Sequence, residues 1–345
     1  MSTQKLFNVA VVGATGAVGE QILKLLAERN FPIKSLKLLS SARSAGKQIE
    51  FKGKDYTIEE AKPESFAGVD IALFSAGGDV SKALIPHAVE YGTVCIDNTN
   101  AYRMDEQTPL IVPEVNINKV SEHKGIIANP NCSTIQMVAA LKPLYDRYGI
   151  SRIIVSTYQA VSGAGAKAID EMLRQSSEHL LGNEVNPDIL PTGSLPVKHQ
   201  IAFNVIPQID KFADNGFTLE EMKMIRETKK IMDDESLEVT ATCVRVPVVY
   251  GHSESVYVEL KQDFDIDDVK GLLSDSPGLV LVDDPAGQQY PMPLDATGKN
   301  DVFVGRIRRD LSNARGLNMW IVSDNLLKGA AWNAVQIAEH IASLK

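Results

Sequence analysis

One thiol stands where a nucleophile is useful. Cys132 lies in Asn129-Pro130-Asn131-Cys132-Ser133-Thr134, a polar, turn-forming stretch that runs into a periodic segment with Ile135, Val138 and Ala139 on one face. Asn131 can cap the helix this spacing predicts. Cys132 then sits in the first turn, where the helix dipole favours a thiolate. Cys95, inside the apolar run Val94 to Ile96, and Cys243, on a strand face with Val239 and Ala241, read instead as small buried apolar residues. Three scattered cysteines without a CxxC pair make neither a disulfide framework nor a zinc site, so no metal is expected and a reducing cytoplasm fits best.

A sulfur nucleophile needs a group that handles protons. His252 follows a strand and a Pro/Gly turn in Arg245-Val-Pro-Val-Val-Tyr-Gly-His252-Ser-Glu. A histidine at a strand end is by type more often structural, but a thiol and a nucleotide fold in the same chain make this one the acid/base candidate. Three cations stand at element ends: Arg103 after Asn98-Thr-Asn-Ala-Tyr, Lys223 three residues past Glu220 on a helix face, and Arg245 closing a strand. Local ion pairing, Glu220 with Lys223 or Lys223 with Glu227, accounts for such charges as well as anion binding does.

Gly13-Ala14-Thr15-Gly16-Ala17-Val18-Gly19 joins the first strand to the first helix, where a pyrophosphate would meet backbone N–H groups and the positive helix end. The spacing is GxxGxxG, the variant often found with NADP. The second strand ends at Leu38-Leu39 and is followed by Ser40-Ser41-Ala42-Arg43-Ser44, with no carboxylate to hold a ribose 2′-hydroxyl. Hydroxyls with a guanidinium suit a 2′-phosphate, so NADP is expected over NAD, although Arg43 also reads as an ordinary surface charge.

These groups must be positioned by two domains. Apolar strands at Phe7 to Val12, Leu36 to Leu39, Ile71 to Phe74 and Val94 to Ile96 alternate with helices, one of them Val80 to Glu90, and predict a doubly wound α/β Rossmann-type nucleotide-binding domain over residues 1–130. From 131 to 324 the pattern changes to α+β. Helices at Ala166 to Leu180 and Leu219 to Met232 accompany strands at Ile153 to Gln159, Leu237 to Val246, Ser255 to Leu260, Leu279 to Val282 and Val302 to Arg308, which predicts a mostly antiparallel sheet. A loop at Gly182 to Gln200, rich in Pro, Gly and Asn, is equally an interface arm or a connector. The amphipathic segment from Asn325 to Leu344 is expected as one long helix, residues 325–345 completing the first domain.

The 345 residues, 44% apolar and 23% charged, are ordinary globular composition and exclude a coiled coil, a collagen-like repeat and a mainly disordered chain. A net charge of −9 disfavours nucleic acid as partner. The N-terminal stretch is unlike a signal peptide, and no segment approaches the roughly 20 apolar residues that span a bilayer, so a soluble intracellular protein is expected.

The motifs GATGAVG, FSAGG (Phe74 to Gly78), NTNAYRM, NPNCST, Gln159-Ala-Val-Ser-Gly-Ala-Gly165, EEMKM and RVPVVYGHSE follow one another over nearly the whole chain. In this order they resemble the aspartate-semialdehyde dehydrogenase family. The resemblance implies NADPH-dependent reductive dephosphorylation of L-aspartyl 4-phosphate to L-aspartate 4-semialdehyde, with release of phosphate. Such a reaction serves lysine, diaminopimelate, methionine, threonine and isoleucine biosynthesis. It also implies a catalytic and dimerisation role for 131–324 and a homodimer or dimer of dimers.

Carried over by motif, the thioester-forming cysteine is Cys132 with Asn131 beside it, the acid/base is His252, and Gln159 orients the acyl group. Arg245 pairs with the substrate carboxylate, Glu220 with its ammonium, and Arg103 and Lys223 with the phosphate. Thr15, Gly16, Ala17, Val18, Ser40, Ser41, Ser162, Gly163 and Asn325 match the cofactor-lining stretches, and Gly13 and Arg43 join them from the glycine turn and the second strand's end. Three cationic contacts and one anionic contact suit a substrate with a phosphate, a carboxylate and an ammonium.

Three rivals differ in what they require. N-acetylglutamyl-phosphate reductase shares the cysteine chemistry but leaves Glu220 without an ammonium to meet. A short-chain dehydrogenase needs the string Tyr257 to Lys261 on a helix, whereas it reads as a strand. A non-catalytic NADP-binding sensor or structural subunit has no use for Cys132, Gln159 and His252 together.

Overall fold

The apolar run Phe7–Val12 forms β1, buried at every position but Asn8, as a central parallel strand should be. It feeds α1 (Ala17–Glu28), which buries Ile22, Leu23, Leu25 and Leu26. There follow β2 (Ile33–Ser40), β3 (Gln48–Phe51), β4 (Lys54–Glu60), β5 (Ile71–Phe74), α2 (Gly78–Glu90), β6 (Val94–Asp97), α3 (Pro113–Asn116) and β7 (Ile126–Ala128). The computed structural model describes residues 5–344, so Met1 to Gln4 of the N-terminal stretch and Lys345 lie outside the described residues. The sheet order is β3-β4-β2-β1-β5-β6-β7, parallel throughout except for the β3–β4 hairpin. β1 has β2 on one side and β5 on the other, which opens a crevice at its carboxyl end, beside the glycine turn.

The chain continues through α4 (Cys132–Tyr148), β8 (Ile150–Gln159), α5 (Ala166–Leu180), α6 (Leu219–Met232), β9 (Glu238–Arg245), β10 (His252–Leu260), α7 (Ile266–Ser274), β11 (Leu279–Leu281), α8 (Pro293–Ala296), β12 (Val302–Arg309), β13 (Gly316–Ser323) and α9 (Trp332–Ser343). Two units result, Met1–Asn131 with Ala330–Lys345, and Cys132–Gly329. In the second unit the sheet order is β11-β12-β13-β10-β8-β9, with three antiparallel and two parallel pairings. Helices α4, α6 and α7 cover one face of this sheet. On the other face Ile154 and Tyr158 remain partly exposed.

Several elements differ from the sequence expectation. β3 and β4 carry Lys, Glu and Asp on an exposed edge, and so lack an apolar signature. β13 alternates Leu317, Met319 and Ile321 inward, a strand absent from the sequence expectation. His252 is the first residue of β10, not a turn residue before it. The expected helix from Asn325 begins as a wide turn, Leu327–Ala331, before α9 proper. Gly329 lies inside this turn, where a Cβ would stand 2.7 Å from that of Cys132, so the turn passes close to the head of α4.

The long loop is not loose. Glu171 on α5 accepts from the backbone N–H groups of Asp188 and Ile189, and Gln175 accepts from those of Ile201 and Ala202, so buried side chains pin the segment in its first half and just past its end.

Candidate active site

In the first unit a cavity of about 480 Å3 opens at the carboxyl ends of β1 and β2, lined by Gly13, Thr15, Gly16, Ser40, Ser41 and Arg43 among others. The glycine turn is close-packed, since a Cβ on Gly19 would stand 2.2 Å from the Gly13 carbonyl oxygen. The hydroxyls of Thr15 and Ser40 are 3.1 Å apart across the cavity mouth. Glu60 is the one carboxylate among the lining residues, and Lys62 neutralises it at 2.7 Å. Ala17 and Val18 open α1, the helix whose positive end belongs to this turn. Helix start, hydroxyls and the exposed Arg43 fit a phosphorylated dinucleotide.

Also in this unit, Asp97 closes β6 and organises the segment that carries Arg103. Its carboxylate accepts from the Thr99 N–H (3.0 Å) and from the hydroxyls of Thr99 and Ser81 (2.8 Å each). Burial still holds its pKa above the ordinary value, against those bonds and the nearby Arg103. Arg103 Nε donates to the Asn129 carbonyl and Nη2 to that of Asn98, both at 2.9 Å, so the guanidinium is held by backbone at the stretch that precedes Asn131.

In the second unit three neighbouring strands end in one row. Gln159 on β8 pairs with Arg245 on β9, and Ser253 on β10 pairs with Tyr158, so His252 lies next to Gln159. Strand alternation sends all three side chains toward the helix-covered face, and they are 1%, 4% and 0% exposed respectively. Across from the row stands α6, capped by Thr218 and Glu221 in a reciprocal box. Its first turn presents Glu220, which accepts from Gln159 Nε2 at 3.2 Å. Lys223 lies 3.1 Å from Glu220 and 3.1 Å from Asp210. Burial works to lower the Lys223 ammonium, but the two carboxylates outweigh it and hold it above its ordinary value.

Arg245 anchors one edge by donating from Nη1 to the Ala160 carbonyl at 2.8 Å, while its buried Nε has no partner. Burial lowers its pKa, opposed first by Glu220 and then by Cys132 and Cys243, which puts the sulfur of Cys132 within electrostatic reach. His252 Nδ1 accepts from the Ala160 N–H, and its buried Nε2 has no partner. Burial and then Arg245 push the imidazole down to about 3, against a weaker opposing pull from Glu220. A Cβ on Gly163 would lie 3.0 Å from Arg245 Nη1 and 3.2 Å from His252 Nε2, so only a glycine leaves both groups an open side. Ser162 and Asn325 bond each other, and Asn325 also accepts from the Gly251 N–H (3.0 Å), just before His252. Cys132 heads α4 and is partly exposed, whereas Cys95 and Cys243 are buried with thiols pushed up chiefly by burial.

The second unit thus brings together Cys132, Gln159, Ser162, Gly163, Glu220, Lys223, Arg245, His252 and Asn325. The first holds the cofactor-loop residues, Arg103 and Asn131. Sequence patterns give no role to Asp97, Gln136 or Glu254: the first two lie outside the motifs, and Glu254 only closes RVPVVYGHSE.

Two family descriptions match: "Semialdehyde dehydrogenase, NAD binding domain" over residues 8–123 and "Semialdehyde dehydrogenase, dimerisation domain" over residues 141–328. Aspartate-semialdehyde dehydrogenase of Bacillus subtilis (strain 168) is 62% identical over 338 residues, 98% of each chain. The enzyme of the same name from Aquifex aeolicus (strain VF5) is 54% identical, covering 96% of this chain and 97% of its own. Among solved structures, aspartate semialdehyde dehydrogenase II of Vibrio cholerae complexed with ASA superposes with a TM-score of 0.93 at 49% identity, over 98% of this chain and 99% of that one. The Candida albicans enzyme with NADP superposes with a TM-score of 0.73 at 28% identity, over 98% of both.

Proposed function

The chain belongs to the aspartate-semialdehyde dehydrogenase family, and from that premise we propose that it reduces L-aspartyl 4-phosphate to L-aspartate 4-semialdehyde with NADPH, releasing phosphate, through a thioester on Cys132. The observation that carries this reading is the buried row Gln159, Arg245 and His252, with Glu220 bonded to Gln159 from the facing helix.

Cys132 attacks the acyl carbon as a thiolate favoured by the first turn of α4. A C–S bond forms, the C–O bond to phosphorus breaks, and inorganic phosphate leaves. Lys223, kept charged by its two carboxylate neighbours, and Arg103, tied to backbone, supply the cations that a departing phosphate needs. Arg245 offers its unpartnered edge to the α-carboxylate, Glu220 receives the ammonium, and the Gln159 amide orients the acyl group. Bound NADPH supplies the hydride that takes the thioester to the aldehyde level. His252 is neutral and carries its proton on Nε2, because Nδ1 accepts from the Ala160 N–H; from Nε2 it donates a hydrogen bond to the substrate oxygen, steadying the negative charge that forms there as hydride adds and that returns to the carbonyl when the C–S bond breaks, freeing the aldehyde and the Cys132 thiolate. The residues around the glycine-turn cavity that would hold a 2′-phosphate are Ser41 and Arg43, which favours NADPH over NADH.

The proposed assembly is a homodimer through the open face of the second sheet, where the Tyr158 and Trp320 rings lie 5.5 Å apart beside the exposed Ile154. The three cysteines are free thiols, and among the described residues no helix is long and apolar enough to cross a membrane; we assign the reaction to the cytoplasm.

The test is the reverse reaction. Aspartate semialdehyde, phosphate and NADP+ should give a phosphate-dependent rise in reduced-nicotinamide absorbance, faster than with NAD+. No such rise, or a preference for N-acetylglutamate semialdehyde, overturns the reading. Sedimentation of the purified chain checks the dimer.

A further inference from the structure

Gln136 is fully buried on α4, the fourth residue after Cys132 and therefore on the same face one turn along. Its neighbours Ile135, Met137, Val138, Ala139 and Ala140 are buried apolar residues, so an amide here is costly unless both its ends are bonded. They are. Nε2 donates to the backbone carbonyl of His252 at 3.3 Å, and Oε1 accepts from the Ser323 hydroxyl at 2.7 Å. Ser323 is the residue directly opposite His252 in the β10–β13 ladder. One side chain therefore joins the helix that begins with the nucleophile to the strand that begins with the imidazole, and to that strand's neighbour. Nothing in the proposed chemistry uses it.

We propose that Gln136 is a positioning residue, a buried amide latch that fixes the first turn of α4 against the first residue of β10 and so sets the sulfur of Cys132 relative to the ring of His252. This rests on the reading of those two residues as reacting groups. An apolar side chain of similar length fills the same volume but leaves the His252 carbonyl and the Ser323 hydroxyl without their partner, and lets helix and strand find their own spacing. Reaction rates respond steeply to such spacing, whereas the carboxylate and ammonium contacts of Arg245 and Glu220 lie on other elements and are untouched.

The test compares Gln136→Met, Ser323→Ala, their double variant and Cys132→Ser in the full-length chain, with kcat, KM for semialdehyde and phosphate, and melting temperature measured for each. Folded Gln136→Met should lose about 10- to 100-fold in kcat with KM unchanged. Ser323→Ala, which removes a single hydroxyl, should lose less, and the double variant should be no slower than Gln136→Met alone, because both act through one latch. Native kcat in folded Gln136→Met, losses that multiply in the double variant, or a rise in KM matching the fall in kcat overturns the proposal. Should Gln136→Met fail to fold, Ser323→Ala decides alone, and native kcat there is fatal. An active Cys132→Ser variant removes the underlying reading; an inactive one beside a fully active Gln136→Met removes the latch only.

Discussion

The backbone N–H of Ala160 donates to Nδ1 of His252 at 3.1 Å, and this bond fixes which nitrogen carries the proton. A neutral ring must then be protonated on Nε2, the atom that faces Gly163 and Arg245. Protonating Nδ1 as well would break the Ala160 bond and put a second cation in a buried site beside Arg245. Spectra of 15N-histidine-labelled protein should show one ring in the neutral, Nε2-protonated form, without titration through the ordinary imidazole range and down to about pH 3. If all six histidines titrate near their ordinary value, the buried ring is not held as described.

Cys132 is the only one of the three thiols that is not buried. A brief treatment of the native protein with iodoacetamide should label Cys132 alone and abolish turnover, while NADPH still binds, since the glycine-turn cavity lies in residues of the other unit. Cys95 and Cys243 should react only after denaturation, because burial pushes both thiols up. Peptide mass spectrometry reads the sites, and label on Cys243 at matched times would contradict the packing.

Arg245 has one guanidinium edge spent on the Ala160 carbonyl and the rest free for a forked contact. Arg245→Lys keeps a charge but cannot make both contacts, so KM for the semialdehyde should rise about 10- to 100-fold, the loss of a charge-assisted hydrogen bond of roughly 1.5–3 kcal/mol. Steady-state kinetics checks this, and an unchanged KM takes Arg245 out of the site.

Glu254 follows His252 by two residues on the same buried face of β10, with neither carboxyl oxygen in a hydrogen bond of ordinary geometry although the Gln136 amide leans toward it. Burial holds its pKa well above the usual carboxylate range. The folded chain therefore keeps a proton that the unfolded chain releases. This contribution to stability is whole below the ordinary carboxylate range and drains away as pH rises through the raised value, by at most about 1.4 kcal/mol per pH unit. Glu254→Gln is neutral at every pH. Its melting temperature relative to the native chain should climb from mildly acidic to alkaline buffer, and a constant difference would show that the carboxyl is not held protonated.

Local chemistry carries the sequence reading far in some places and nowhere in others. The glycine turn, the apolar strands and the polar residues before Cys132 announce themselves, because each is a run of neighbours with one physical job. The row Gln159, Arg245 and His252 is different. Its members come from three separate stretches, and only the pairing of β9, β8 and β10 shows that they share a face. Lys223 pairs with Glu220, as local ion pairing requires, and the same geometry also leaves it beside the row, so spacing alone has no means of separating the two roles. Gln136 and Glu254 look like interruptions of apolar patterns until their depth is known. β3 is an edge strand and β4 its neighbour, and the charged residues both carry hide them from any test of hydrophobic periodicity.

Helix α9 packs on α1 and β6, with Asn333 bonded to Asn129 at 2.7 Å and Glu339 to Arg29 at 2.9 Å. On the ribosome, residues 132–329 all emerge before this helix does. The nucleotide-binding unit is therefore begun first and finished last, and the apolar groove over α1 and β6 stays open to solvent, or to a chaperone, for most of the chain's synthesis.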